Sequence, residues 1–218
     1  MIISGIYLVT DRSLCRNRPL TDVVMQAVQG GVAYIQLREK DISTRLFVEE
    51  ATAIKKIMEP YGIPLIINDR IDVALACGAE GVHIGQDDMP YAIARKLMGI
   101  KAIIGLSVET WADVEESERL DVDYIGISPI FPTPTKTDTK GAWGLEGLAK
   151  IKAFSCHPLV AIGGINETNA KEVIAAGADC IAVVSAICAA ADPAAATRNL
   201  KSMIDAVHDD LTNKHNSS

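Results

Sequence analysis

Short runs rich in Ile, Val and Leu alternate along this chain with longer stretches whose apolar positions recur at helical spacing. Residues 2–9 form the first run and end at Thr10-Asp11; helical spacing follows over 20–29, with Gly30-Gly31 as its stop. Residues 33–37 are the second run, closed by Arg38-Glu39-Lys40, and a helix is expected over 43–58, before Pro60 and Gly62. The third run, 64–67, ends in Asn68-Asp69-Arg70 and leads to a helix over 72–77. The fourth, 81–84, ends in Gly85-Gln86-Asp87-Asp88, and Pro90 opens the next helix. Residues 102–105 lead to Ser107 and a helix over 109–119; residues 124–127 precede a long polar loop and a helix over 145–153. Residues 159–162 end in Gly163-Gly164 before a helix over 166–176, and residues 180–184 end at Ser185 before a helix over 193–207.

Eight strand–helix units without a break in composition predict an α/β fold, a single-domain (β/α)8 TIM barrel over residues 1–208. Residues 209–218 read as a polar C-terminal tail, expected to be disordered. A doubly wound open sheet is the alternative. It would need the chain to switch sides of the sheet, and the first strand is not followed by G-x-G-x-x-G.

Composition sharpens this in three ways. Apolar residues make up 49% of the chain but aromatics only 5%, so the core must be built from Ile, Val, Leu and Ala, as buried parallel strands are. A net charge of −7 argues against nucleic acid or an anionic membrane as partner, and any bound anion must be held by a local basic cluster or a metal ion. Cys15, Cys77, Cys156, Cys180 and Cys188 show no C-x-x-C pairing, which suggests reduced thiols and a cytoplasmic protein. No signal peptide is expected, and the longest apolar run, 181–191, is too short to span a bilayer.

The stretch 128–140 carries four threonines, three prolines and two lysines. Its prolines exclude helix and central strand, and its hydroxyls and ammonium groups suit phosphate better than the alternative, a solvated linker. In a barrel, residues just past the C-terminal strand ends converge on one face. They are Gln36, Arg38, Glu39, Lys40, Asn68, Asp69, Asp88, Ser107, Thr133, Thr135, Lys136, Gly164 and Ser185. The seventh and eighth strand ends form a common phosphate site in this fold, where Gly163-Gly164 allows close backbone approach and Ser185 adds a hydroxyl. Asp69 and Asp88, at neighbouring strand ends, have the donor set for Mg2+. Both positions also suit an aspartate at a helix start, and spacing alone does not choose between Asp87 and Asp88. His83 reads as a hydrogen-bonded core residue. His157 beside Cys156 lacks further ligands at metal spacing, and Trp143 is expected to pack the base of the long loop.

Several stretches together resemble the thiamine-phosphate synthase (thiamine-phosphate pyrophosphorylase) family over nearly the whole chain. They include Tyr7-Leu-Val-Thr-Asp11, Ile35-Gln-Leu-Arg-Glu-Lys40, Asn68-Asp-Arg-Ile-Asp-Val-Ala74 and Gly81-Val-His-Ile-Gly-Gln-Asp-Asp88. Ile104-Gly-Leu-Ser107, Pro129-Ile-Phe-Pro-Thr-Pro-Thr-Lys136, Ala161-Ile-Gly-Gly-Ile165 and Val183-Val-Ser-Ala-Ile187 continue the match. Ser128 stands where the family often has glycine, which touches the loop's hinge and no expected ligand. The resemblance implies a transferase that condenses 4-amino-5-hydroxymethyl-2-methylpyrimidine diphosphate with a thiazole phosphate. It implies one Mg2+ per subunit on Asp69 and Asp88. It implies the pyrimidine diphosphate on Gln36, Leu37, Arg38, Glu39, Lys40, Asn68, Ser107 and Lys136, with Arg38, Lys40, Lys136 and Ser107 acting in catalysis. Thr133, Pro134, Thr135, Gly164, Val184 and Ser185 would hold the thiazole phosphate, and the long loop would close as a lid over both. The partners are thus two small phosphorylated substrates, and a homo-oligomer is compatible with the sequence. Two rivals remain at this stage: a thiazole tautomerase, which needs no diphosphate apparatus, and a non-catalytic phosphate-ligand sensor.

Overall fold

The computed structural model describes residues 3–133 and 141–215. Eight strands close into a parallel barrel in chain order. The first half runs β1 (Gly5–Val9), α1 (Leu20–Gly30), β2 (Tyr34–Leu37), α2 (Thr44–Met58), β3 (Leu65–Asn68), α3 (Ile71–Cys77), β4 (Gly81–Ile84) and α4 (Tyr91–Met98). The second runs β5 (Ile103–Val108), α5 (Trp111–Ser117), β6 (Tyr124–Ile127), α6 (Gly144–Phe154), β7 (Leu159–Ile162), α7 (Ala170–Ala175) and β8 (Cys180–Val183). A single turn, α8 (Ser185–Cys188), and a long helix, α9 (Pro193–His215), complete it. Closure is made by β1, which pairs with β2 through Tyr7–Tyr34 and with β8 through Gly5–Cys180.

Strand side chains alternate between two cores. Ile6, Leu8, Ile35 and Leu37 point outward and pack with helix residues such as Val24, Ala27, Phe47 and Ile54. Each such aliphatic side chain contributes about 1.5–3 kcal/mol by burial. Tyr7, Val9, Tyr34, Ile66, Tyr124 and Val160 point inward and fill the barrel with Ala182. The Tyr124 ring needs room there, and Gly105 on β5 provides it. A Cβ at residue 105 would lie 2.0 Å from the ring's Cζ.

Differences from the sequence expectations concern lengths. β5 continues through Ser107 to Val108, because the glycine at 105 accommodates Tyr124 rather than ending the strand. The backbone expected to fray after residue 208 stays helical through His215, since lengthening an existing helix needs no new nucleus. Among the described residues no helix is long and apolar enough to cross a membrane. All five cysteines are free, with Cys15, Cys180 and Cys188 buried.

Candidate active site

A cavity of about 430 Å³ opens at the C-terminal ends of the strands. β2 and its loop supply Gln36, Arg38 and Lys40; β3 supplies Asn68 and then Asp69; Asp88 and Ser107 come from the next two units. Thr133, Gly164, Val184 and Ser185 line the other side, after β6, β7 and β8. These residues from seven units thus meet in one space. Pro134, Thr135 and Lys136 lie outside the described residues.

Leu37 and Glu39 do not bring their side chains to this cavity. The alternation that turns Gln36 inward turns Leu37 outward into the core beneath the helices. Glu39 faces Arg12, whose guanidinium lies 3.1 Å from its carboxylate and also meets Glu50. Burial raises the Glu39 carboxyl despite Arg12.

Asp69 and Asp88 form the electrostatic centre. Asp69 takes φ +60°, a left-handed backbone uncommon for a residue with a Cβ, and its N–H donates to the His83 carbonyl at 2.8 Å. Such a conformation costs on the order of 1 kcal/mol, and it aims the carboxylate at its neighbours. Lys40 Nζ stands 2.5 Å from Asp69 Oδ2. Asp88 Oδ2 accepts the Gly85 N–H at 2.6 Å. Burial works to raise the Asp69 carboxyl, but hydrogen bonds from Lys40 and Asp88 hold it below the usual range. Burial and then the adjacent Asp69 raise Asp88. Two carboxyls in contact at neighbouring strand ends have the donor set for a hard divalent cation. Asp87 also borders the cavity, but the carboxyl in contact with Asp69 is that of Asp88.

The floor of the cavity is a chain of hydrogen bonds between inward-facing side chains. Gln36 Nε2 donates to the Tyr7 hydroxyl at 3.1 Å, which bonds the Tyr124 hydroxyl at 2.7 Å. The Tyr124 hydroxyl also meets His83 Nδ1 at 3.0 Å, and His83 Nε2 meets Ser107 Oγ at 2.8 Å. Burial raises both phenols, so they stay neutral. His83 is therefore hydrogen-bonded through both ring nitrogens, as its place in a strand suggested, yet it also borders the cavity with Tyr7 and Tyr124. Sequence reasoning missed the two tyrosines as site residues because they sit inside strands. Their signal was a polar hydroxyl at an inward position of a barrel whose strands are mostly aliphatic.

The start of the long loop is seated on the Gly163-Gly164 turn. Ile130 and Phe131 donate their N–H groups to the carbonyls of Ile162 and Gly163 at 2.9 and 3.1 Å. A Cβ at Gly163, whose φ is +104°, would lie 2.5 Å from Pro129 Cβ. Trp143 returns the chain, donating its N–H to the Pro129 carbonyl at 2.9 Å and packing against the core. Both ends of the loop are thereby fixed beside the seventh strand end.

A closed barrel with a cavity lined by charged and polar side chains open at this end is how (β/α)8 enzymes are built, and fold and site together put the chain in that class. Within it the chain belongs to the thiamine monophosphate synthase family, whose pattern matches residues 6–187. The thiamine-phosphate synthase of Albidiferax ferrireducens is 59% identical over 202 residues, covering 93% of this chain and 92% of that protein. The thiamine-phosphate synthase of Leptospira biflexa is 53% identical over 203 residues, with 91% and 97% covered. The solved thiamine phosphate pyrophosphorylase from Pyrococcus furiosus superposes with a TM-score of 0.86 at 39% identity, over 93% of this chain and 96% of that one. The 3-hexulose-6-phosphate synthase of Salmonella typhimurium, at a TM-score of 0.68 and 20% identity, shares the fold alone.

Proposed function

We propose that this chain joins 4-amino-5-hydroxymethyl-2-methylpyrimidine diphosphate to 4-methyl-5-(2-phosphoethyl)thiazole, giving thiamine phosphate and diphosphate. The observation that carries this is the meeting of Arg38, Lys40 and the Asp69–Asp88 pair with the Gly164 and Ser185 strand ends in one cavity. Such a cavity has room for two phosphorylated ligands side by side.

The roles follow from the chemistry of each group. In the proposed reaction the bond between the pyrimidine CH2 and the diphosphate oxygen breaks, and its electron pair leaves with the diphosphate. The amino-substituted ring spreads the positive charge left behind, and the thiazole nitrogen forms the new C–N bond. Arg38 and Lys40 would stabilise the charge that develops on the leaving diphosphate, because cations already placed at the cavity need little reorganisation as that charge forms. Lys136 is assigned the same role from its sequence motif. Asp69 and Asp88 would hold Mg2+, which supplies further neutralisation of the leaving group when bound. Gln36, Asn68 and Ser107 would orient the pyrimidine, with Ser107 Oγ held by His83. Thr133, Gly164, Val184 and Ser185 would hold the thiazole phosphate. A cytoplasmic location accords with the free cysteines.

The test is turnover with both substrates, with and without Mg2+, following diphosphate release and thiamine phosphate. Product formed only with Mg2+ supports the reading. Isomerisation of the thiazole phosphate alone, or binding without product, refutes it and favours a tautomerase or a ligand sensor.

A further inference from the structure

The end of the barrel opposite the active site carries a second group of ligating side chains. Glu118 opens the α5–β6 connection, and Cys156 and His157 lie in the α6–β7 connection, so all three sit beside the N-terminal ends of β6 and β7. Although Glu118 is 38 residues from Cys156, parallel pairing of the two strands brings the connections together. Each residue offers one ligand atom, and the three atoms lie within 4.8 Å of one another. We propose that Glu118, Cys156 and His157 form a Zn2+ site that clips these two connections together.

Local hydrogen bonds already orient two of the three ligands. Glu118 accepts the Ser155 hydroxyl on Oε1 and the Cys156 N–H on Oε2, the latter at 3.0 Å. The Cys156 side chain is a third partner, so one carboxylate lone pair stays open and loss of the thiol proton frees another. His157 Nε2 faces the Ser117 carbonyl at 2.9 Å, which requires the proton on Nε2 and leaves the lone pair on Nδ1. A backbone carbonyl holding the far nitrogen is the usual support for a metal-binding histidine. The His157 N–H in turn donates to Ser155 Oγ at 3.1 Å. Without metal the Cys156 thiol also hydrogen-bonds Glu118, and an ion would replace that contact with a bond to each of the two groups.

Distances and donor chemistry select the ion. Tetrahedral Zn2+ with bonds of about 2.0–2.3 Å places its ligand atoms about 3.3–3.8 Å apart. The observed spacing therefore needs about 1 Å of closure, and Cys156 is exposed and able to supply it. Thiol and imidazole donors favour Zn2+ over Mg2+ or Ca2+, which take oxygen. Water would complete the fourth position. Glu118 pushes the Cys156 thiol up, so the sulfur is protonated without metal, and binding displaces that proton to solvent. On this face of a barrel such a clip contributes stability rather than turnover.

The experiment uses the full chain, reduced, stripped with chelator and then held in excess Mg2+. Titration with Co2+ should give a thiolate-to-cobalt charge-transfer band that saturates at one equivalent and is displaced by Zn2+. Cys156→Ser should abolish the band, and His157→Ala and Glu118→Gln should weaken Co2+ binding by about tenfold or more. Zn2+ should raise Tm in the parent chain and leave Cys156→Ser unmoved, while kcat with Mg2+ is the same in both. Absence of the band, its survival in Cys156→Ser, or an equal Zn2+-dependent rise in Tm in that variant each overturns the assignment. Co2+ held by the Asp69–Asp88 pair alone would give no thiolate band, so this outcome does not depend on the proposed activity.

Discussion

Replacing Tyr124 by Phe removes one oxygen from the centre of the barrel and leaves the ring that fills it. That oxygen makes two hydrogen bonds, 2.7 Å to the Tyr7 hydroxyl and 3.0 Å to His83 Nδ1, at a residue only 1% exposed. A typical intramolecular hydrogen bond contributes about 0.5–1.5 kcal/mol net, so losing two predicts a destabilisation of about 1–3 kcal/mol. For a chain of this size each kcal/mol lowers Tm by about 2–4 °C, giving a fall of about 2–12 °C. Urea denaturation of the parent, Tyr124→Phe, Tyr7→Phe and the double variant separates the shared bond from the rest. A coupling of about 0.5 kcal/mol or more between the two tyrosines is expected for hydroxyls in direct contact. The variant should also lose turnover, because His83 bridges Tyr124 to Ser107 Oγ. A destabilisation below about 0.5 kcal/mol with additive single changes would refute the view that this chain of hydroxyls organises the cavity floor.

Three other outcomes follow from the site. Asp88→Asn should raise the Mg2+ concentration needed for half-maximal turnover, and EDTA should abolish product formation in the parent chain until Mg2+ is restored; activity indifferent to EDTA contradicts the metal assignment. Lys136→Ala should lower kcat by on the order of 10²–10³, the loss expected for one charge-stabilising group, and near-parental turnover removes it from the mechanism. Gly163→Ala should destabilise the chain by about 2–5 kcal/mol in chemical denaturation, combining backbone strain at φ +104° with the 2.5 Å contact to Pro129. Unchanged stability there would mean that the long loop's first residues are not seated on the turn as described.

Unit count and order were legible because each strand is a short run of buried aliphatics closed by polar residues. Three strands, β4, β6 and β7, begin and end where their apolar runs do. Lengths were less legible wherever tertiary context overrode the local signal. Gly105 reads as a strand end in isolation, but its missing Cβ makes space for Tyr124 from the neighbouring strand, and β5 runs on for three residues. α9 shows the converse, since its polar last turns carry no apolar stripe to announce them, yet they extend a helix already nucleated at Pro193.

The candidate site divides along the same line. Arg38, Lys40, Asn68, Asp69, Asp88 and Ser107 could be gathered from sequence because barrel topology alone brings strand ends together. Topology does not say which way each side chain turns, and there the two-residue period of β2 decides. It carries Gln36 inward and continues through Arg38 and Lys40 to the cavity, while Leu37 enters the outer core and Glu39 meets Arg12. The same period run backward along β1 sends Tyr7 inward, and on β4 and β6 it sends in His83 and Tyr124. Burying the Tyr7 and Tyr124 hydroxyls at the centre of the barrel is tolerated because they bond one another and the half-buried His83 imidazole. Polar side chains at inward strand positions are thus as informative about the cavity as charged residues at strand ends.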